Sequence, residues 1–172
     1  VSDPTLDTPS QRLAAAGLTL PTVPMPLAGY VPAVRVGDLV YTAGQLPFVD
    51  GELAAVGNVG HPPTAAVDAA TATAAARTAA LNAIAAAASV AGGIDEIAAV
   101  VKITVFVATV GDFTDHPAVA DGASSLVAEV FGNAGRHARS AVGVASLPKG
   151  SPVEVELVAT VRPSREPVFR QL

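Results

Sequence analysis

Towards the C-terminal end of the chain His137-Ala138-Arg139-Ser140 opens one strand-like run, and Pro152-Val153-Glu154-Val155-Glu156 opens the next, the two joined through Leu147-Pro148-Lys149-Gly150. Arg139 is followed by an uncharged stretch from Ser140 to Pro148. A guanidinium at the mouth of an apolar strand is either half of a salt bridge or a receptor for an anion. The second reading predicts a small carboxylate ligand, because the planar fork of arginine meets a carboxylate through two parallel hydrogen bonds. Glu154 could then handle a proton or a water; its bland alternative is a solvated strand residue.

The remaining polar residues narrow the chemistry. His61, His116 and His137 show no metal-ligand spacing, such as two histidines four apart on a helix, so no metal is expected. His137 could border a site at Arg139, although an ordinary loop histidine is the commoner outcome. Ser140 has no base and acid in triad arrangement, which disfavours nucleophilic hydrolysis. No glycine-rich phosphate loop is present, and the absence of cysteine excludes disulfides, thiolate metal sites and thiol nucleophiles.

These residues need elements to hold them. Pro4 and Pro9 mark residues 1–9 as an arm, after which Ser10 caps a short helix through Ala16 that ends at Gly17. Pro21, Pro24 and Pro26 forbid regular structure. Val34 to Val36 and Leu39 to Ala43 flank the turn signal Gly37-Asp38, predicting a hairpin, with a third short strand around Leu53 to Val56. The alanine-rich segment from Thr64 to Val90 reads as the longest helix, stopped by Gly92-Gly93. Ile97 to Ala108 has the β-branched, nearly uncharged character of a central strand buried on both faces. A second helix spans Ala118 to Phe131, with Pro117 near its first turn and Gly132 past its end. Ala138 to Leu147 and Val153 to Val161 are the last strands, and residues 163–172 form a tail. The order β-β-β-α-β-α-β-β argues an α+β fold, a single mixed β-sheet with two helices packed on one face. Residues 1–172 read as one domain.

The segments Gly29-Tyr30-Val31-Pro32-Ala33, Gly37 to Pro47, Asn82, Lys102 to Val107, Ala128-Glu129-Val130-Phe131-Gly132 and His137 to Ser140, in this order, resemble the RidA/YjgF family. These are small trimeric proteins of chorismate-mutase-like fold, several of which hydrolyse reactive enamines and imines. The resemblance implies that Arg139 anchors the substrate carboxylate and that Glu154 positions or activates a water. It implies that Tyr30 closes over the ligand and that the Gly44 backbone approaches it, against the alternatives of a packed structural tyrosine and a glycine at a bulge. Ser124 stands where the family carries an asparagine, Ala43 where many deaminating relatives have serine, and Ala141 where they have cysteine. Those departures thin the polar lining of the substrate site.

Taking Leu147 and Pro152 as a short reversal, Arg139 falls level with about Thr160 of the last strand. Six residues at roughly 3.3 Å each then set Arg139 and Glu154 about 20 Å apart in one chain. For both to serve one ligand, a neighbouring copy must supply one of them, as closed rotational symmetry does once per interface. The family's clefts between the subunits of a homotrimer agree with this. The function implied is hydrolytic deamination of 2-aminoacrylate or 2-imino acids to 2-oxo acids and ammonia, with no cofactor. The alternative is a non-catalytic small-carboxylate binder or stress-related interaction protein of the same fold.

A net charge of −5 with ten Lys plus Arg leaves no basic stripe for nucleic acid. That balance, together with the absence of a histidine pair, disfavours the ribonuclease activity ascribed to some members of the family. The uncharged run from Thr78 to Ile94 is seventeen residues, short of a membrane span, and reads as a packed helix. Asp3 and Asp7 at the N-terminus do not suit a secretory signal, so a cytoplasmic location is expected.

Overall fold

The structure, a computed structural model, describes residues 8–23, 29–61, 63 and 65–163. Most of the N-terminal arm, the C-terminal tail beyond Pro163, Pro24 and Pro26 lie outside the described residues, and the long helix expected from Thr64 begins later, because residues 65–68 are not helical and Asp68 supplies the cap. Helix α1 (Pro9–Ala15) is capped by Thr8, not Ser10, in a reciprocal capping box with Gln11. Ser10 instead uses its backbone N–H and hydroxyl to hold both carboxylate oxygens of Asp95, at 2.9 and 2.7 Å. This fastens the helix to the body of the molecule.

Strands β1 (Ala33–Val36) and β2 (Leu39–Thr42) form the predicted hairpin, with Gly37 supplying the positive φ of 60° that its turn requires. The expected third strand at Leu53 to Val56 is not part of this sheet. Two short strands, β3 (Phe48–Val49) and β4 (Glu52–Leu53), form a separate two-stranded ribbon around Asp50-Gly51, and both turn residues have positive φ.

Helix α2 (Ala69–Ala91) starts at Asp68, whose carboxylate accepts the Thr71 N–H at 2.7 Å, and stops at Gly92 in the left-handed region. It buries eleven alanines and Ile84. At 23 residues it is long and apolar enough to cross a membrane, which the shorter uncharged run did not suggest, but 67% of its apolar window is buried inside the molecule. It is packed as a core helix.

Strand β5 (Ile97–Ala108), helix α3 (His116–Phe131) and strand β6 (Ala138–Val144) form a crossover unit in which β5 and β6 run parallel. Strand β7 (Val153–Val161) enters between β2 and β5, antiparallel to both, giving the order β1-β2-β7-β5-β6. Both helices cover one face. Val153, Val155, Leu157, Ala159 and Val161 of β7 point into it and are buried, as are Ile103, Val105 and Val107 of β5. The other face stays open within the protomer, and there β5 presents a partly exposed row, Lys102, Thr104 and Phe106, instead of the second buried face expected of it.

Candidate active site

The open face carries Glu154 and Glu156, opposite Phe106 and Thr104 of β5. The path of the chain after β2 determines what surrounds Glu154. Tyr41 faces Val158 and Gln45 faces Val155, so four steps on one strand span three on the other, which is a bulge. Within it the Leu157 N–H donates to the Thr42 hydroxyl at 3.0 Å, in place of a ladder carbonyl. Gly44 lies at this bulge and also makes a close approach, pressed against Glu154: a Cβ at position 44 would fall 1.7 Å from Glu154 Oε1. Asn82 on α2 holds the following segment by donating to the Leu46 and Phe48 carbonyls, at 2.8 and 3.1 Å.

Burial, and secondarily the negative charge of Glu156, raises the Glu154 carboxyl above its ordinary pKa. No group among the described residues offset this with a hydrogen bond to the carboxylate. The segment bearing Tyr30 runs beside Gly44, since the Ala43 N–H donates to the Pro32 carbonyl at 2.8 Å. Tyr30 is 64% exposed, which rules out the packed structural role within one protomer.

Arg139 lies elsewhere. It sits on the edge strand β6 opposite Ile103, hence on the helix-bearing face, and Ile103 is in turn opposite Leu157. The level with Thr160 inferred from sequence is therefore wrong: β5 separates the last two strands, and Arg139 is level with Leu157. Glu154 is level with Val142, three residues further along β6. Three residues and two strand spacings place the two backbones about 14 Å apart, with side chains on opposite faces. Within one protomer they do not share a ligand.

The guanidinium packs on α3, where Nη1 donates to Asp121 Oδ1 at 2.6 Å and to Ser124 Oγ at 3.1 Å. Ser124 Oγ is also 3.0 Å from His137 Nε2, and His137 Nδ1 is 2.6 Å from the Gly135 carbonyl oxygen. Thus the Tyr30 segment, Gly44 and Glu154 gather at one place, and Arg139 and Ser124 at another. Asp121 was not among the residues singled out for a site, and His137, weighed there as a neighbour of Arg139 against an ordinary loop histidine, does border it. The signal for His137 was present in its spacing, because residues two apart on a strand share a face. Asp121 and Ser124, three apart on a helix, likewise share one. Ala141, on the same face of β6 as Arg139, packs against the core.

An α+β chain with a five-stranded mixed sheet and two helices on one face has the chorismate-mutase-like fold. The chain belongs to the YjgF/chorismate mutase-like family, described as "putative endoribonuclease", whose profile matches residues 10–161. It is 40% identical over 146 residues to Protein TCP17 of Trypanosoma cruzi, covering 84% of this chain and 89% of that protein. A crystal structure described as a putative endoribonuclease from Shewanella oneidensis superposes with a TM-score of 0.83 at 35% identity, over 90% of this chain and all of that one. Escherichia coli TdcF, solved with bound serine, is more distant, with a TM-score of 0.57 at 27% identity over 81% of this chain and 94% of TdcF.

Proposed function

We propose that the protein hydrolyses 2-imino acids and 2-aminoacrylate to 2-oxo acids and ammonia, in clefts between the copies of a homotrimer. The observation that carries this reading is the separation of a carboxylate receptor from a proton acceptor. Arg139 stands on a sheet edge and Glu154 on the open face, so a cleft formed by an edge of one copy and the face of the next brings them together. The serine bound by TdcF supports a small amino-acid-like ligand in a relative.

In this cleft Arg139 holds the substrate carboxylate and thereby orients the imine carbon. A water attacks that carbon while Glu154 takes its proton, giving a carbinolamine. The raised proton affinity of Glu154 suits it to that base role and to returning the proton to nitrogen. As the C–N bond breaks, the hydroxyl passes its proton through Glu154 to the nitrogen, so that the carbonyl forms and ammonia leaves. An enamine substrate enters as its imine, after taking up a proton at its β-carbon and releasing one from nitrogen. Tyr30 closes over the ligand beside Gly44.

The test generates 2-aminoacrylate in situ and follows pyruvate and ammonia. Wild type accelerates their release, and Arg139→Ala and Glu154→Gln each lower the acceleration by about 100-fold or more. Binding of a 2-oxo acid by wild type without any acceleration would assign the protein to the non-catalytic binders instead.

A further inference from the structure

The hydrogen bonds around Arg139 fix more than its position. The Gly135 carbonyl only accepts, so His137 Nδ1 carries the hydrogen of their 2.6 Å contact, and Nε2 of the neutral ring is left as an acceptor. The Ser124 hydroxyl, 3.0 Å from Nε2, therefore donates to it and turns its lone pairs towards Arg139. Arg139 Nη1 uses one hydrogen on that oxygen and the other on Asp121 Oδ1. Both Nη1 hydrogens are consumed, whereas Nε–H and Nη2 make no hydrogen bond among the described residues. A guanidinium has two edges that fit a carboxylate, an end-on edge of Nη1 with Nη2 and a side-on edge of Nε with Nη2. Only the second is open.

We infer that Ser124 and His137 are positioning residues of the anion site, which lock Nη1 so that Arg139 takes a planar carboxylate side-on through Nε and Nη2. His137 acts on the ligand only through Ser124. This rests on the reading of Arg139 as a carboxylate receptor and adds to it which edge binds and which residues select that edge. Without the Nε2 acceptor, the Ser124 hydrogen has no fixed direction and competes with Nη1 for Asp121.

The experiment measures the affinity of the full chain for an unreactive 2-oxo acid, 2-oxobutyrate, by calorimetry, beside steady-state deamination. The variants are Ser124→Ala, His137→Phe, His137→Gln, Arg139→Ala and the double variant Ser124→Ala/His137→Phe. Ser124→Ala and His137→Phe each weaken binding about tenfold, the scale of one charge-assisted hydrogen bond, and raise KM more than they lower kcat. The double variant is no weaker than Ser124→Ala alone, and His137→Gln, whose amide oxygen replaces Nε2 as acceptor, recovers most of the affinity. A merely structural histidine gives additive losses and no such recovery. Additive losses, or unchanged affinity in His137→Phe, overturn the inference. If Arg139→Ala binds as tightly as wild type, the receptor reading falls and takes this one with it. If only the His137 and Ser124 variants behave like wild type, the positioning chain alone falls. Wild-type binding without turnover, with the non-additive pattern intact, removes the deaminase reading and supports the positioning chain.

Discussion

Glu154 and Gly44 form a pair in which the smaller member decides where the larger one points. Gly44→Ala places a Cβ 1.7 Å from Oε1, and because that oxygen ends a flexible side chain, the carboxylate moves while the fold remains. The expected result is a melting temperature within a few degrees of wild type and a kcat/KM about 100-fold lower, the scale of an ångström-sized misplacement. The titration of Glu154 gives a second expectation. A carboxyl whose pKa is raised by folding contributes stability fully below its unfolded pKa, and that stability is lost as pH rises through the folded value. Glu154→Gln therefore melts higher than wild type at neutral pH, and the difference shrinks as pH falls from the raised value to the ordinary carboxylate range, below which it is gone. Thermal scans across pH check the sign. The charges of Arg139 and Glu154 were legible because they interrupt apolar strands. The Asp121 partner was not, since α3 and β6 meet only through tertiary packing and nothing local in sequence announces the pair.

At the scale of elements, the close contact of α2 and α3 depends on Gly122. A Cβ there would lie 2.0 Å from the Thr73 backbone oxygen, and no rotamer change relieves a contact with backbone. Gly122→Ala should destabilise the protein by about 1–3 kcal/mol by overpacking, despite the better helix propensity of alanine, and urea unfolding measures it. The hairpin, both long helices and the three long strands could be read from periodicity, turn glycines and caps. The strand order could not. A short connection between β6 and β7 suggests neighbours, yet the residues between Val144 and Val153 are enough to step across one strand, about 10 Å. Strand β5 fills that gap because its apolar run needs hydrogen-bonding partners on both edges. The bulge after β2 was legible only as a glycine, since its register shift depends on the distant β7.

For the whole molecule, the open sheet face is the feature that isolated-chain folding leaves unfinished. Val34, Val36, Tyr41 and Val142 are 42–66% exposed on or beside it, whereas the central strands of the other sheet face are buried beneath the helices. We expect a solution mass three times the 17.0 kDa of the chain, measured by light scattering. Val36→Lys, exposed within the protomer and remote from Glu154, should fold normally, run as a protomer and lose deamination. A variant that remains active as a protomer contradicts the shared cleft.

The eleven alanines buried by α2 have a consequence for how this chain can diverge. A core of larger residues tolerates exchange, because a lost methyl in one position can be recovered in another. Alanine leaves no such reserve: only glycine is smaller, and serine at the same positions brings a hydroxyl that must find a carbonyl. Drift along this helix is thus confined to its outward positions, such as Ala70, Ala74 and Ser89. Saturation mutagenesis should show a tolerance map with a period of about 3.6 residues over the first half of the helix and almost no permitted replacements from Ala83 to Ala88, where every residue is buried.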